Sequence, residues 1–277
     1  MPVSIYGLSC DLDPIMEIAK EYGIAVVNDA AEAFGSLYKG APIATIADIT
    51  SYSTENSKHI STGDGGIVVT NNKDLADRTR LIRNHAESST SKNSSKKELS
   101  NMLGYNFRLG EIEAAIGIEQ LKKLRKIVMF RQKLAKILTN GLGKLSGLKV
   151  PYVRPHSTHV YYVYPLVIEK NLKVSREKIL KSLKKEGVIG LMEGYINLYN
   201  LPLFRKKIAY GSKGFPWKYF KSKVNYNKKY FKVTEDLNNK RFFGILLCSY
   251  DYKEKDIISI VKKFKKVWLK LGLNVQK

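Results

Sequence analysis

Lys58 stands in an unusual place for a lysine. A β-branched and aromatic run over 46–53 precedes it, and a second over 65–70 follows a glycine-rich turn, Gly63-Asp64-Gly65-Gly66. Both runs read as strands. A third short apolar run, 24–28, ends in a carboxylate, Asp29, and the run before Lys58 ends in a hydroxyl, Ser53. An amine, a carboxylate and a hydroxyl at strand ends can together do carbonyl chemistry. The amine attacks an aldehyde, the carboxylate holds a ring nitrogen protonated, and the hydroxyl donates to a phosphate. That is the set pyridoxal phosphate needs. Taken singly, Lys58 would be a surface residue, Asp29 a strand-end cap and Ser53 nothing in particular.

Other chemistries lack their residues. There is no Walker pattern, the glycine turn lacks the spacing of a dinucleotide fingerprint, and no G-x-S-x-G elbow occurs. His156 and His159 are spaced for a metal but have no cysteine or carboxylate cluster beside them, so a structural role is expected. Two cysteines, Cys10 and Cys248, cannot form a disulfide framework. They point to a reducing compartment, the cytoplasm. No stretch has the apolar length of a membrane helix, and residues 1–7 show no signal-peptide pattern.

The formal charge is +23, from 48 Lys+Arg against 25 Asp+Glu. Such a balance suits a polyanion partner. Most of these cations are lysines scattered through helical stretches, and no helix-turn-helix, zinc-finger or RNA-binding motif accompanies them. The charge therefore reads as solvated surface, with no specific nucleic acid and no membrane as partner.

The elements that must position the chemistry alternate between helix and strand, which implies an α/β architecture. A helix capped by Asp13, with Pro14 in its first turn, stops at Gly23. A strand over 24–29 follows, then strands over 46–53 and 65–70 and a helix over 72–84 with Leu75, Leu81 and Ile82 inward. Residues 88–99 are Ser/Lys-rich and read as a loop. A long amphipathic helix runs over 109–138, with Ile112, Ala115, Ile116, Leu121 and Leu124 on its apolar face. Residues 141–155 read as a linker. Beyond it, strands over 160–168 and 242–249 and helices over 175–186 and 254–271 form a smaller α+β domain. Its middle, 189–233, is aromatic and irregular. The domains are expected at 1–140 and 141–277.

Five segments in order make the reading specific. They are Asn28-Asp29-Ala30-Ala31-Glu32-Ala33-Phe34-Gly35, Ser53-x4-Lys58, Gly63-Asp64-Gly65-Gly66, Arg83-Asn84-His85 and Gly104-Tyr105-Asn106-Phe107-Arg108. The series resembles the DegT/DnrJ/StrS family of pyridoxal-phosphate-dependent nucleotide-sugar aminotransferases. The resemblance implies an aspartate-aminotransferase-like fold, whose large domain holds a mixed, mostly parallel sheet. It implies that Lys58 carries the cofactor as a Schiff base and shuttles the proton, and that Asp29 partners the pyridine nitrogen. Ser53 would bind the phosphate, and Asn106 would reach the phosphate of a second subunit in a homodimer with shared active sites. Lysine rather than histidine at position 58 favours transamination over dehydration. The implied reaction moves an amino group from an amino acid, glutamate being the expected donor, to a nucleotide-linked keto sugar for glycan, surface-polysaccharide or amino-sugar synthesis.

Two positions depart from the family pattern. Glu32 replaces a glutamine expected near the cofactor's 3-hydroxyl, and Asp64 replaces a glutamate in the glycine turn. Residues 1–7 also resemble an internal segment of the family. The segment that precedes it there carries a glycine/threonine turn for the phosphate and an aromatic that stacks on the ring. It is expected upstream, on a separate polypeptide, or lost. The alternative expectation is therefore a non-catalytic remnant or interaction subunit of such an enzyme.

Overall fold

The strand that ends at Asp29 pairs in parallel with the strand that ends at Ser53, and this pairing organises the N-terminal part of the chain. The computed structural model describes residues 1–87, 102–220 and 223–275, so the Ser/Lys-rich stretch 88–99 lies outside the described residues. The chain divides into two units. The first takes residues 1–136, 152–163 and 247–251, and the second takes 137–151, 164–246 and 252–277.

In the first unit, helix α1 (Leu12–Glu21) leads to β1 (Val27–Asp29). A short hairpin follows, β2 (Leu37–Tyr38) with β3 (Ala41–Pro42), and then β4 (Ile49–Ser53) and β5 (Gly66–Val69). Helices α2 (Lys73–Arg83) and α3 (Glu111–Leu142) come next, and α3 continues into the second unit. The mixed sheet has the order β1-β4-β5, parallel between β1 and β4 and antiparallel between β4 and β5. Its register places Asp29 opposite Ser51 and Gly66 opposite Ser53. Side chains alternate across a sheet. Thr50 and Tyr52 are therefore buried on one face, where Tyr52 stacks on Phe34 with ring centroids 4.3 Å apart beside Leu12, Ala33 and Ile43. Asp29, Ser51 and Ser53 share the other, half-open face.

Several boundaries differ from the sequence expectation, each for a visible reason. Helix α1 begins before Asp13 because Asp11 takes the N-cap position, while the Asp11 carboxylate accepts the Tyr38 hydroxyl at 2.6 Å. Strand β1 begins at Val27 rather than 24. The Ile24 N–H closes the helix end on the Ala19 carbonyl at 2.8 Å, and the Val26 N–H goes to the Asp48 carboxylate at 2.7 Å. Helix α2 is capped by Asn72, whose side chain accepts from the N–H groups of Asp74 and Leu75. The predicted apolar face of α3 is correct as a pattern but not as core. Ile112, Ile116 and Leu121 are exposed, and the buried stretch begins at Val128.

In the second unit, β6 (Leu148–Lys149), β7 (Val163–Ile168), α4 (Arg176–Lys185) and β8 (Leu191–Met192) are followed by short helices α5 (Pro202–Lys206) and α6 (Lys232–Asp236). Strand β9 (Phe242–Leu246) and helix α7 (Glu254–Lys270) close it. The sheet order is β6-β7-β9-β8, so 141–155 is not a bare linker but holds the end of α3 and an edge strand. Strand β7 starts at Val163 rather than 160 because Tyr161 adopts a left-handed φ of 55° that an extended strand cannot contain. Phe264 is fully buried between Phe243 and Trp268, and the Trp268 indole N–H donates to the Ser146 carbonyl at 3.0 Å.

Phe264→Ala should therefore destabilise the protein by about 3–5 kcal/mol, the usual cost of removing a buried aromatic ring. Urea unfolding followed by circular dichroism measures it, and a change below about 1 kcal/mol would contradict this packing.

Candidate active site

The open face of the β1-β4-β5 sheet carries the first two predicted site residues. The Asp29 main chain is held from the other side by bonds to residues 2 and 4, its N–H donating to the Pro2 carbonyl at 3.0 Å. Its carboxylate Oδ1 accepts the Ala31 N–H at 3.0 Å. Two residues beyond Ser51, the Ser53 Oγ accepts the Glu55 N–H at 3.2 Å. That bond uses an acceptor lone pair and leaves the hydroxyl proton to donate elsewhere.

Lys58 sits in the loop that joins β4 to β5. The loop is pinned at its neck. The Thr54 N–H donates to the Gly65 carbonyl at 3.0 Å, the Thr62 N–H donates to the Thr54 carbonyl at 2.9 Å, and the two threonine hydroxyls lie 2.8 Å apart. A side chain at Gly65 would start 2.9 Å from Thr54 Oγ1 and from Leu109 Cδ1, on a φ of 145°. The glycine turn therefore lets the neck close. Within the loop, Ser57 Oγ donates to Glu55 Oε2 at 2.5 Å and meets the Tyr162 hydroxyl at 3.0 Å. The Lys58 ammonium lies 4.3 Å from the centroid of the Tyr162 ring. This cation–π contact holds the amine against a ring face, with the Glu55 carboxylate near enough to feel its charge but not in an ion pair with it. Among the described residues, neither Lys58 nor Asp29 takes part in an ion pair.

Beside Lys58, His59 is buried and its Nε2 lies 2.8 Å from the Val160 carbonyl. A carbonyl only accepts, so Nε2 carries the proton. Burial pushes the His59 imidazolium down to about 4, opposed by the bond to Val160 and helped by the positive charges of Arg131 and Lys58. His159 is pushed down to about 3, again first by burial, and stacks on Tyr161 with centroids 4.0 Å apart. The two rings are neutral at pH 7, and the His159 Nδ1 accepts the Tyr161 N–H at 3.0 Å.

The remaining predicted residues lie elsewhere in the first unit. The Glu32 carboxylate accepts the Tyr6 N–H at 2.7 Å and helps hold that residue at a left-handed φ of 59°. Asn106 is exposed on a strap laid over the end of α2, bridged to Asn84. The Tyr105 N–H donates to the Ile82 carbonyl at 2.7 Å, and the His85 N–H donates to the Tyr105 carbonyl at 2.9 Å. Gly104 has no room for a side chain there, since a Cβ would fall 2.1 Å from the Ala86 nitrogen. A cavity of about 780 Å³ runs along the free edge of β5, between Ser51, Gly66, Val68, Arg83 and the strap residues Phe107 and Leu109. Sequence reasoning did not single out Ser57 and Tyr162. Tyr162 is about a hundred residues from Lys58, and no local pattern marks it.

The fold of this chain is that of solved aminotransferases. An aminotransferase of Helicobacter pylori, PseC, involved in the biosynthesis of pseudoaminic acid, superposes with a TM-score of 0.77 at 21% identity, over 97% of this chain and 66% of that one. DesV of S. venezuelae superposes with a TM-score of 0.76 at 23% identity, over 95% and 63%. The model of the DegT/DnrJ/EryC1/StrS aminotransferase family matches residues 1–218, and the chain belongs to that family. Protein MJ1066 of Methanocaldococcus jannaschii is 37% identical over 78% of this chain and 57% of its own length. The spore coat polysaccharide biosynthesis protein SpsC of Bacillus subtilis is 31% identical, over 83% and 59%. The GDP-perosamine synthase of Caulobacter vibrioides is 32% identical, over 68% and 50%. The chain thus spans between 50% and 59% of the length of these three relatives.

The buried histidines set a pH dependence. An unfolded chain protonates them near 6.5, while His59 folded stays neutral to about 4. Between these values the unfolded state binds more protons, so stability is full above about 6.5 and declines as the pH falls toward 4. The expected loss from His59 is on the order of 3 kcal/mol. His59→Gln, which keeps a donor for the Val160 carbonyl, should flatten the stability–pH curve over that window. Parallel curves for the two proteins would show that His59 is not held neutral.

Proposed function

We propose that this chain forms part of a pyridoxal-phosphate-dependent enzyme that moves an amino group from an amino acid, with glutamate as donor, to a nucleotide-linked keto sugar. The observation that carries the reading is the common face of Asp29 and Ser53, followed by a pinned loop that holds Lys58 free of any ion pair among the described residues. The residues fit the cofactor. Lys58 offers an amine, Asp29 a carboxylate with acceptor capacity left over, and Ser53 a proton for a phosphate oxygen. When bound, pyridoxal phosphate supplies the electron sink that lets a Cα–H bond of the donor break. Lys58 Nζ would hold the cofactor through its aldehyde carbon, and once released would accept and return the donor's Cα proton. Asp29 would keep a proton on the ring nitrogen, and Ser53 would orient the phosphate. Glu32, which accepts the Tyr6 N–H, would face the cofactor's 3-hydroxyl by the family pattern.

The family membership supports the substrate class, since relatives include proteins named for GDP-perosamine synthesis and for spore coat polysaccharide biosynthesis. We place the reaction in the cytoplasm, in the supply of amino sugars for glycans and surface polysaccharides. The enzyme acts as a homodimer in which Asn106 reaches the second copy's cofactor phosphate. The apolar surface around Asn106 supports this. Phe107 is 64% exposed and Ile112 is 75% exposed, with Leu103, Tyr105 and Ile116 also open. An apolar patch of this kind marks an interface.

Borohydride reduction of the protein with pyridoxal phosphate should leave the pyridoxyl label on the Lys58 peptide, and Lys58→Ala should lose it. A label on another lysine would overturn the assignment. Asp29→Asn keeps the side-chain size and removes the charge. It should lower glutamate-dependent amino transfer by about 100-fold or more while the label still forms. Ile112→Asp should shift the protein toward a monomer in analytical ultracentrifugation. An unchanged assembly would place the subunit contact elsewhere.

A further inference from the structure

Between Glu193 and Glu235 the sequence contains no acidic residue. The stretch is dense in lysine and aromatic side chains, and the structure shows how they are sorted. Helix α5 ends at Lys206, with Lys207 as its left-handed C-cap, and a turn over Gly211 and Gly214 is closed by the bridge between Tyr210 and Phe215. Beneath it, Phe204, Trp217 and Tyr226 pack together, and the Trp217 indole N–H donates to the Tyr226 hydroxyl at 3.0 Å. This inner cluster anchors the turn. The outer rings go to water, with Tyr210 75%, Tyr219 65% and Phe220 77% exposed. Lys206, Lys213 and Lys218 stand exposed among them. Not one carboxylate of the segment itself offsets their charge.

We infer that residues 203–220 and 223–233 form a peripheral docking surface for an anionic lipid bilayer. Lysines of a juxtaposed cluster each gain from the negative surface of anionic lipids. Aromatic side chains with an apolar body and a polar tip settle at headgroup level, and lysine stems reach past them to the phosphates. A single-stranded nucleic acid would want parallel aromatic platforms and arginine planes. Here the outer rings meet at angles, 51° between Tyr210 and Phe215 and 63° between Phe215 and Tyr219, and Arg205 is the lone arginine of the segment. Charge and amphipathic rings together favour a bilayer. The docking is peripheral, since among the described residues no helix is long and apolar enough to cross a membrane. The lysines outside this segment keep the reading as scattered solvated surface; this segment is set apart by joining its cations to exposed aromatic rings.

The test uses the full chain and vesicles of phosphatidylcholine with or without phosphatidylglycerol. The protein should sediment with the phosphatidylglycerol vesicles at low salt and be released as salt is raised. Trp217 emission should shift to the blue, while Trp268, already fully buried, should not respond. Lys206→Gln, Lys213→Gln and Lys218→Gln combined should weaken binding about 100-fold, at roughly fivefold per lysine. Tyr210→Ser, Tyr219→Ser and Phe220→Ser combined leave the net charge unchanged and should weaken binding at least about tenfold. Circular dichroism confirms that both variants fold. The proposal fails if the unmodified chain ignores phosphatidylglycerol vesicles. It also fails if the aromatic variant binds as well as the parent, or if a single-stranded oligonucleotide competes the protein off the vesicles at lower phosphate concentration than the lipid itself.

Discussion

The register between β1 and β4 is the constraint on which the candidate site depends. A strand has a two-residue side-chain period, so a slip by one position would turn Asp29 into the core and Asn28 out of it. The neighbourhood makes such a slip costly. The Ala30 N–H donates to the Ser51 carbonyl at 2.9 Å just past the pairing. The Asn28 side chain accepts the Ser4 hydroxyl at 3.1 Å in a buried position. Tyr52 cannot leave its stack on Phe34 without opening a cavity. Each contact is ordinary, but together they leave one arrangement in which the carboxylate and both serines share a face.

The loop that follows β4 is fixed by a different kind of interaction. Its inner side is tied to residues 159–162, far along the chain but within the same unit. His59 donates to the Val160 carbonyl, Ser57 meets the Tyr162 hydroxyl, and the Tyr162 ring lies under the Lys58 ammonium. A charged histidine in that position would be buried without a counter-ion, so neutrality is a condition of the packing. The amine is thereby steadied by a ring face and not by an ion pair, although the Glu55 carboxylate lies near enough to feel its charge. An ion pair would have to be broken before Lys58 could act as a nucleophile. A ring contact gives way more cheaply.

Local chemistry made the strand ends legible. Asp29 and Ser53 each close a β-branched run, and the glycines after Lys58 announce a tight turn, so three residues and their loop are readable from spacing alone. The family motifs supplied what spacing cannot, namely the expectation that these three belong to one site. Boundaries were less legible because they depend on single tertiary bonds. Strand β1 is shortened by the Asp48 carboxylate twenty-two residues away. Strand β7 is shortened by a left-handed Tyr161 that no propensity foresees. The α3 stripe shows the limit of periodicity most plainly. Its spacing marks Ile112 and Ile116 as apolar, but a stripe does not state whether its cover belongs to the same chain. Tyr162 and Ser57 were invisible for the same reason, since the contact that makes them matter joins distant segments.

The open sheet face also explains why the site cannot be mistaken for core. Val27 and Val68 on it are exposed, yet Asp29, Ser51 and Ser53 lie among them. Covering that face with apolar side chains would bury a carboxylate with no cation to meet it, at a cost of several kcal/mol. Leaving it bare wastes the apolar residues. A ligand that is flat and apolar across its ring, basic at one edge and anionic at another satisfies both. Such a ligand would cover the valines, meet the carboxylate with a protonated nitrogen and accept from the serine hydroxyl. The mixture of residue types that makes this face a poor core is what makes it a good bed for such a molecule, and the same mixture would bind a purely hydrocarbon or a purely anionic ligand weakly.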